Sequence, residues 1–110
     1  MAQKDYIFGV CDQVRETSFS LHKFLRHGYK EKIYENGLAS RLRHQGLQVD
    51  QQPSLSVFDK DGTLLGDLDI DLLVANELII ELKAVRTVLN EHVAQLLGYL
   101  RASRKEHGLL

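Results

Sequence analysis

Tryptophan is absent from the 110 residues, and proline, cysteine and methionine occur once each. A single thiol, Cys11, forbids an internal disulfide and a cysteine-rich zinc site, and fits a reducing compartment. One proline and eight glycines exclude a low-complexity linker protein. Neither sign of charge dominates: 14 Lys+Arg stand against 15 Asp+Glu, for a net charge of -1. That excludes a strongly basic nucleic-acid-coating protein and an acidic disordered tail. No apolar run approaches the roughly 18–20 residues that cross a bilayer. The first ten residues, MAQKDYIFGV, lack the basic-then-apolar order of a signal peptide. A cytoplasmic protein with no membrane contact is expected. What remains is 44% apolar and 26% charged, enough for a core in one domain spanning 1–110.

Two helices are expected first. Over Lys4 to Leu25, apolar residues fall at Ile7, Val10, Val14, Leu21 and Phe24/Leu25, with Thr17/Ser18 filling the missing step of one helical face. Gly28 is a natural stop. The second helix runs from about Tyr29 to Gln45, with Ile33, Tyr34, Gly37, Leu38 and Leu42 inward and Gly46 at its end. The pattern then becomes strand-like: Leu47 to Asp50, Leu55 to Phe58, Leu68 to Val74 and Leu78 to Lys83, with a turn at Asp59 to Gly62. A third helix is expected from Asn90 to Arg104, with Val93, Leu96, Leu97 and Leu100 inward. Gly108 opens a strand that the chain end would cut short. This order gives an α+β or α/β sandwich with one mixed sheet.

The informative stretch is Asp67 to Lys83. If residues 75–77 form a hairpin loop, Val74 faces Leu78, Asp71 faces Glu81 and Asp69 faces Lys83. A slip of one residue would send the two apolar sets to opposite faces, so the pattern itself selects this register. Directly opposed residues have Cβ atoms about 4.5–5.5 Å apart, and two carboxylates held that close repel. A divalent cation with oxygen ligands at about 2.1 Å fits between them, and Mg2+ suits a site completed by water and phosphate. Lys83 points to the same face and can neutralise an oxyanion or orient a water. The ordinary alternative is a solvated face of an amphipathic hairpin. Leu73 and Ile79 weaken that alternative, because they share the face.

Asp71, nine residues, then Glu81-Leu82-Lys83 resembles the motif of the PD-(D/E)XK nuclease superfamily. Gly28-Tyr29-Lys30-Glu31-Lys32-Ile33-Tyr34 reads G-x-x-E-x-x-Y and resembles the signature of the GxxExxY proteins, with His22 six residues ahead of it. His92-Val93-Ala94-Gln95-Leu96-Leu97-Gly98-Tyr99-Leu100 is similar to that group's H-x-A-Q-L-x-x-Y-L helix, and Gln95-x-x-x-Tyr99 to an element of RecB-like exonucleases. Arg26-His27-Gly28 departs from the group's Gly-Pro-Gly, and Ile70 stands where the superfamily has proline. The resemblance spans about residues 7 to 110. It implies a restriction-endonuclease-like αβββαβ core with a mixed central sheet over 28–110, preceded by an extra N-terminal helix over 1–27, with the last strand truncated.

The resemblance also implies roles. Asp71 and Glu81 would bind Mg2+ or Mn2+, with the Leu82 carbonyl as a further ligand and Glu31 joining the metal site or a second one. Lys83 would position the attacking water and stabilise the pentacovalent phosphate. Gln95, Tyr99 and Tyr34 would touch substrate or orient ligands. The partner would be nucleic acid, DNA ahead of RNA. The activity implied is metal-dependent hydrolysis of phosphodiester bonds.

Other residues carry weaker signals. Glu31 and Tyr34 are helical neighbours that, apart from the resemblance, read first as a surface acid and a packed ring. His22 and His92, one per helix, read as packing residues before metal ligands. Asp59-x-Asp61-Gly62 looks like the start of an EF-hand, but Leu68 stands where the bidentate Glu belongs, which rejects it. Cys11, on a helical face, reads as a core residue. His22, Lys23, Arg26, His27, Lys30 and Lys32 form a basic cluster able to steer a phosphate backbone. Two further readings stand beside hydrolysis: a catalytically silent nuclease-fold module that binds nucleic acid or protein, and a homodimeric interaction protein.

Overall fold

The computed structural model describes residues 2–83, 90–103 and 107–109, with side chains at 6–83, 90–93, 95–97, 100 and 108. Among the described residues, three helices and two small sheets make a mixed α+β architecture consistent with a nuclease-like fold. Helix α1 is Ala2–Leu25 and α2 is Glu31–His44. Strands follow at Val49–Gln51 (β1), Ser54–Phe58 (β2), Leu64–Asp69 (β3), Leu72–Val74 (β4) and Leu78–Ile80 (β5). Helix α3 is Asn90–Ser103 and strand β6 is His107–Leu109.

Helix α1 buries Ile7, Val10, Val14 and Leu21, with Thr17 in the predicted gap. The Thr17 hydroxyl donates to the Gln13 carbonyl at 2.7 Å, which satisfies it inside the core. At the end of α1, Arg26 takes a left-handed conformation (φ 63) and its N–H returns to the His22 carbonyl. Helix α2 crosses at Gly37, where a Cβ would sit 2.9 Å from a Leu21 methyl, so any larger residue would make the Leu21 side chain shift. Ile33, expected inward on α2, is exposed, as are Val93 and Leu97 on α3. The cores beneath these helices are narrower than the apolar stripes above them.

The main sheet has the order β1-β4-β5-β6, with β5 and β6 parallel and the other pairs antiparallel. Strands β4 and β5 are buried throughout. Leu72, Val74, Leu78 and Ile80 join the core beneath α1 and α2. Leu73 and Ile79 face the other way, with Ile70, Leu55, Leu96 and Leu100. Strict alternation thus divides a completely apolar hairpin between two cores.

The expected strand from Leu68 to Val74 is bent into two. Strands β2 and β3 form a separate ribbon, yet its register continues that of β1 and β4. Across the bend, the Gln52 N–H donates to the Asp71 carbonyl at 2.8 Å, and the Ile70 N–H reaches the Pro53 carbonyl. Gln52 is left-handed (φ 50) and Pro53 has no N–H to give, so the ladder cannot run straight through them. Asp69 pairs with Ser54 in the ribbon, and the β4–β5 ladder ends at Leu72 and Ile80, short of the expected Asp69–Lys83 pair. Asp67 and Asp69 lie on an exposed ribbon face, as the solvated alternative expects.

Candidate active site

Asp71 stands at the bend, between the ribbon and β4. Glu81 follows the last residue of β5. The pairs Val74 with Leu78 and Leu72 with Ile80 are those the apolar pattern predicts, and the ladder ends there, one residue short of Asp71 and Glu81. The two acids are interlocked through the main chain. The Asp71 N–H donates to Glu81 Oε1 at 3.2 Å, and the Leu82 N–H donates to Asp71 Oδ2 at 2.7 Å.

Glu81 is only 4% exposed. Burial, first, and then the neighbouring Asp71 carboxylate push its pKa from an ordinary 4.5 up to about 7, against a smaller pull from Lys83. A side-chain hydrogen bond with Asp71 favours the protonated form as well. A proton here does what a bound cation would do: it relieves two carboxyls forced together. Lys83 is half-buried, and its ammonium donates to Gln95 Oε1 on α3 at 3.1 Å. Two elements far apart in sequence thus fix the lysine beside the acid pair.

A model of the PD-(D/E)XK nuclease superfamily matches residues 9–110. The chain belongs to the PD-(D/E)XK nuclease superfamily. No curated protein and no solved structure matches the chain significantly.

Members of this superfamily are generally divalent-metal dependent. The donor set at Asp71 and Glu81 fits such an ion: two hard carboxylate oxygens, one of them on a buried acid that retains a proton near neutrality. Among the described residues, no group of three or more His, Cys, Asp or Glu is placed to hold a metal. Glu31 is accordingly not gathered with the acid pair. It lines a cavity of about 640 Å³ that it shares with Leu82 and Lys83, along with Tyr34, His22 and His27. Tyr34 is held by its own chain, its hydroxyl donating to the Arg26 carbonyl and its ring edge-to-face with Tyr29 at 6.2 Å. The Tyr99 side chain lies outside the described residues. His92 is half-buried on α3. Cys11 is buried, and burial pushes its thiol up, which suits a core residue and not a nucleophile.

The residues that sequence reasoning missed are Glu35 and Gln52. Glu35 lies on the buried side of α2 with Leu38, Ala39 and Leu42. Its carboxylate accepts from Lys32 Nζ at 2.8 Å, Gln51 Nε2 at 2.8 Å and Gln52 Nε2 at 3.1 Å. Burial pushes Glu35 up, but these donors reverse the effect and leave its pKa below the ordinary value. Gln52 grips Glu35 with its side chain and the Asp71 carbonyl with its N–H, and so ties α2 to the bend. An acid in an apolar helical row was the available signal, since such a residue needs partners when it is buried.

Proposed function

We propose that the chain is a divalent-metal-dependent nuclease of the GxxExxY group, hydrolysing phosphodiester bonds at Asp71, Glu81 and Lys83. The observation that carries this reading is the convergence of these three residues at one end of the β4–β5 hairpin, with Glu81 buried against Asp71. Asp71, Glu81 and the Leu82 carbonyl would hold Mg2+ or Mn2+, while Glu31 stays on the cavity wall beside Lys83. When bound, the ion would supply Lewis-acid activation of the phosphodiester and a water of lowered pKa.

The chain's own groups do the remaining work. Glu81 would serve such an ion as the carboxylate, since a doubly charged cation favours both acids in ionised form. Lys83 offers a fixed positive charge to the oxyanion that develops on phosphorus. Gln95 holds the ammonium in place, so less conformational freedom is lost when substrate arrives. Tyr34, on the cavity wall with Lys83, contacts the substrate, and the resemblance of the α3 motif gives Tyr99 the same role. The basic residues between α1 and α2 draw the polyanion toward this end of the molecule.

The test is a cleavage assay on DNA and RNA with Mg2+ and with Mn2+, comparing wild type with Asp71→Ala and Lys83→Ala. Metal-dependent cleavage should fall by about two orders of magnitude or more in each variant. Variants as active as wild type would remove the assignment. A folded wild type inert with both ions and both polymers would favour the silent binding module instead.

A further inference from the structure

The cavity beside Lys83 has a wall that phosphodiester hydrolysis alone does not require. Its floor is aliphatic, from Leu21 and Leu38. Phe19 and Tyr29 rise from α1 and the α1–α2 connection, and both rings are largely exposed, at 70% and 49%. His22 and His27 meet edge-to-face at 4.9 Å on the same wall. Leu82 and Lys83 complete it on the side of the acid pair. At about 640 Å³ the cavity falls within the range of small-molecule sites and can enclose a nucleotide.

We infer that this cavity receives one unstacked nucleotide of a single-stranded nucleic acid, its base against Phe19 and Tyr29 and its phosphate toward Lys83. A duplex keeps its base faces inside the stack and shows a protein only edges and phosphates. Exposed aromatic rings over an aliphatic floor have nothing to grip there. A single strand presents π-faces that stack on such rings whatever the base. Lys83 and Glu31 are the charged residues of the lining, and the exposed Lys23, Arg26 and Lys30, sequence neighbours of lining residues, shift the balance of α1's end and the α1–α2 connection to positive. The inference rests on the nuclease reading for the identity of the ligand and deepens it by naming the strand state.

Fluorescence anisotropy tests it, with a short end-labelled oligodeoxyribonucleotide and the same sequence as a duplex, in EDTA so that no turnover intervenes. The wild type should bind the single strand about tenfold or more tightly than the duplex. Phe19→Ala and Tyr29→Ala should each weaken single-strand binding roughly tenfold, the scale of one lost stacking contact. Tyr29→Phe keeps the ring and should restore binding. Phe24→Ala removes an exposed ring of α1 that is not on the cavity wall, and should change nothing. A matched oligoribonucleotide identifies the sugar, and selection of either single strand over its duplex supports the site. Equal or tighter duplex binding, alanine variants that bind like wild type, or a Phe24→Ala loss as large as that of Tyr29→Ala would each overturn it. The nuclease reading fails separately: Asp71→Ala would cleave like wild type while strand selectivity persisted.

Discussion

Two glutamates among the described residues are almost fully buried, and their surroundings are opposite. Glu35, 3% exposed, is ringed by an ammonium and two side-chain amides, and its pKa is lowered. Glu81, 4% exposed, faces another carboxylate and is pushed up to about 7. The first environment supplies what a buried carboxylate needs and makes it a structural clamp on the bend. The second leaves the need open, and such incompletely satisfied acids are where ligands and protons act. Burial alone does not mark a functional acid; the sign of its pKa displacement does more to separate the two.

The comparison can be broken most severely by pH. Glu81 has a raised pKa, so its contribution to stability is present below about 4.5 and is lost as pH rises toward 7. The loss for the metal-free chain is on the order of 3 kcal/mol across that window. Glu35 has a lowered pKa, so its contribution is present above 4.5 and is lost on further acidification. Urea unfolding of wild type and Glu81→Gln from pH 4 to 8 should show the first loss in wild type only. Identical profiles would mean that Glu81 titrates normally.

Glu35→Ala comes next. It removes the carboxylate that accepts from Lys32, Gln51 and Gln52 and releases the bend from α2, and should cost about 2 kcal/mol at pH 7, seen as a lower unfolding midpoint. Glu81→Gln should act in the opposite direction, stabilising the metal-free chain at pH 8 by about 1 kcal/mol, because it removes one of two adjoining charges. If both substitutions destabilise alike, the two sites do not differ as argued. The smallest effect belongs to Gln95→Ala. The residue is exposed, so stability should shift by less than about 0.5 kcal/mol, while cleavage falls through a looser Lys83.

How much of this was legible in the sequence follows from the range of the forces involved. The hairpin register that brings Asp71 beside Glu81 was legible, because a short hairpin whose apolar residues must find the core admits one register. The α1 face was legible for the same reason, down to the Thr17 gap. The bend at Gln52-Pro53 was not, although Pro53 was in view. Where the ribbon leaves the sheet depends on a left-handed Gln52 and on Glu35, 17 residues away. The exposure of Ile33, Val93 and Leu97 was not legible either, because an apolar stripe states what can be buried, not how much partner surface exists. The Lys83–Gln95 contact was within reach only through the resemblance of the α3 motif, since nothing local links the two residues.

The claim on which the rest depends is that Asp71 and Glu81 together form the seat of one divalent cation. Calorimetric titration of Mn2+ into the chain near pH 6.5, in buffers of different ionisation enthalpy, reads both binding and the proton that leaves. The account predicts saturable one-site binding with a substantial fraction of a proton released, and loss of that release in Glu81→Gln. Absence of binding, or the same proton release from Glu81→Gln, would contradict it.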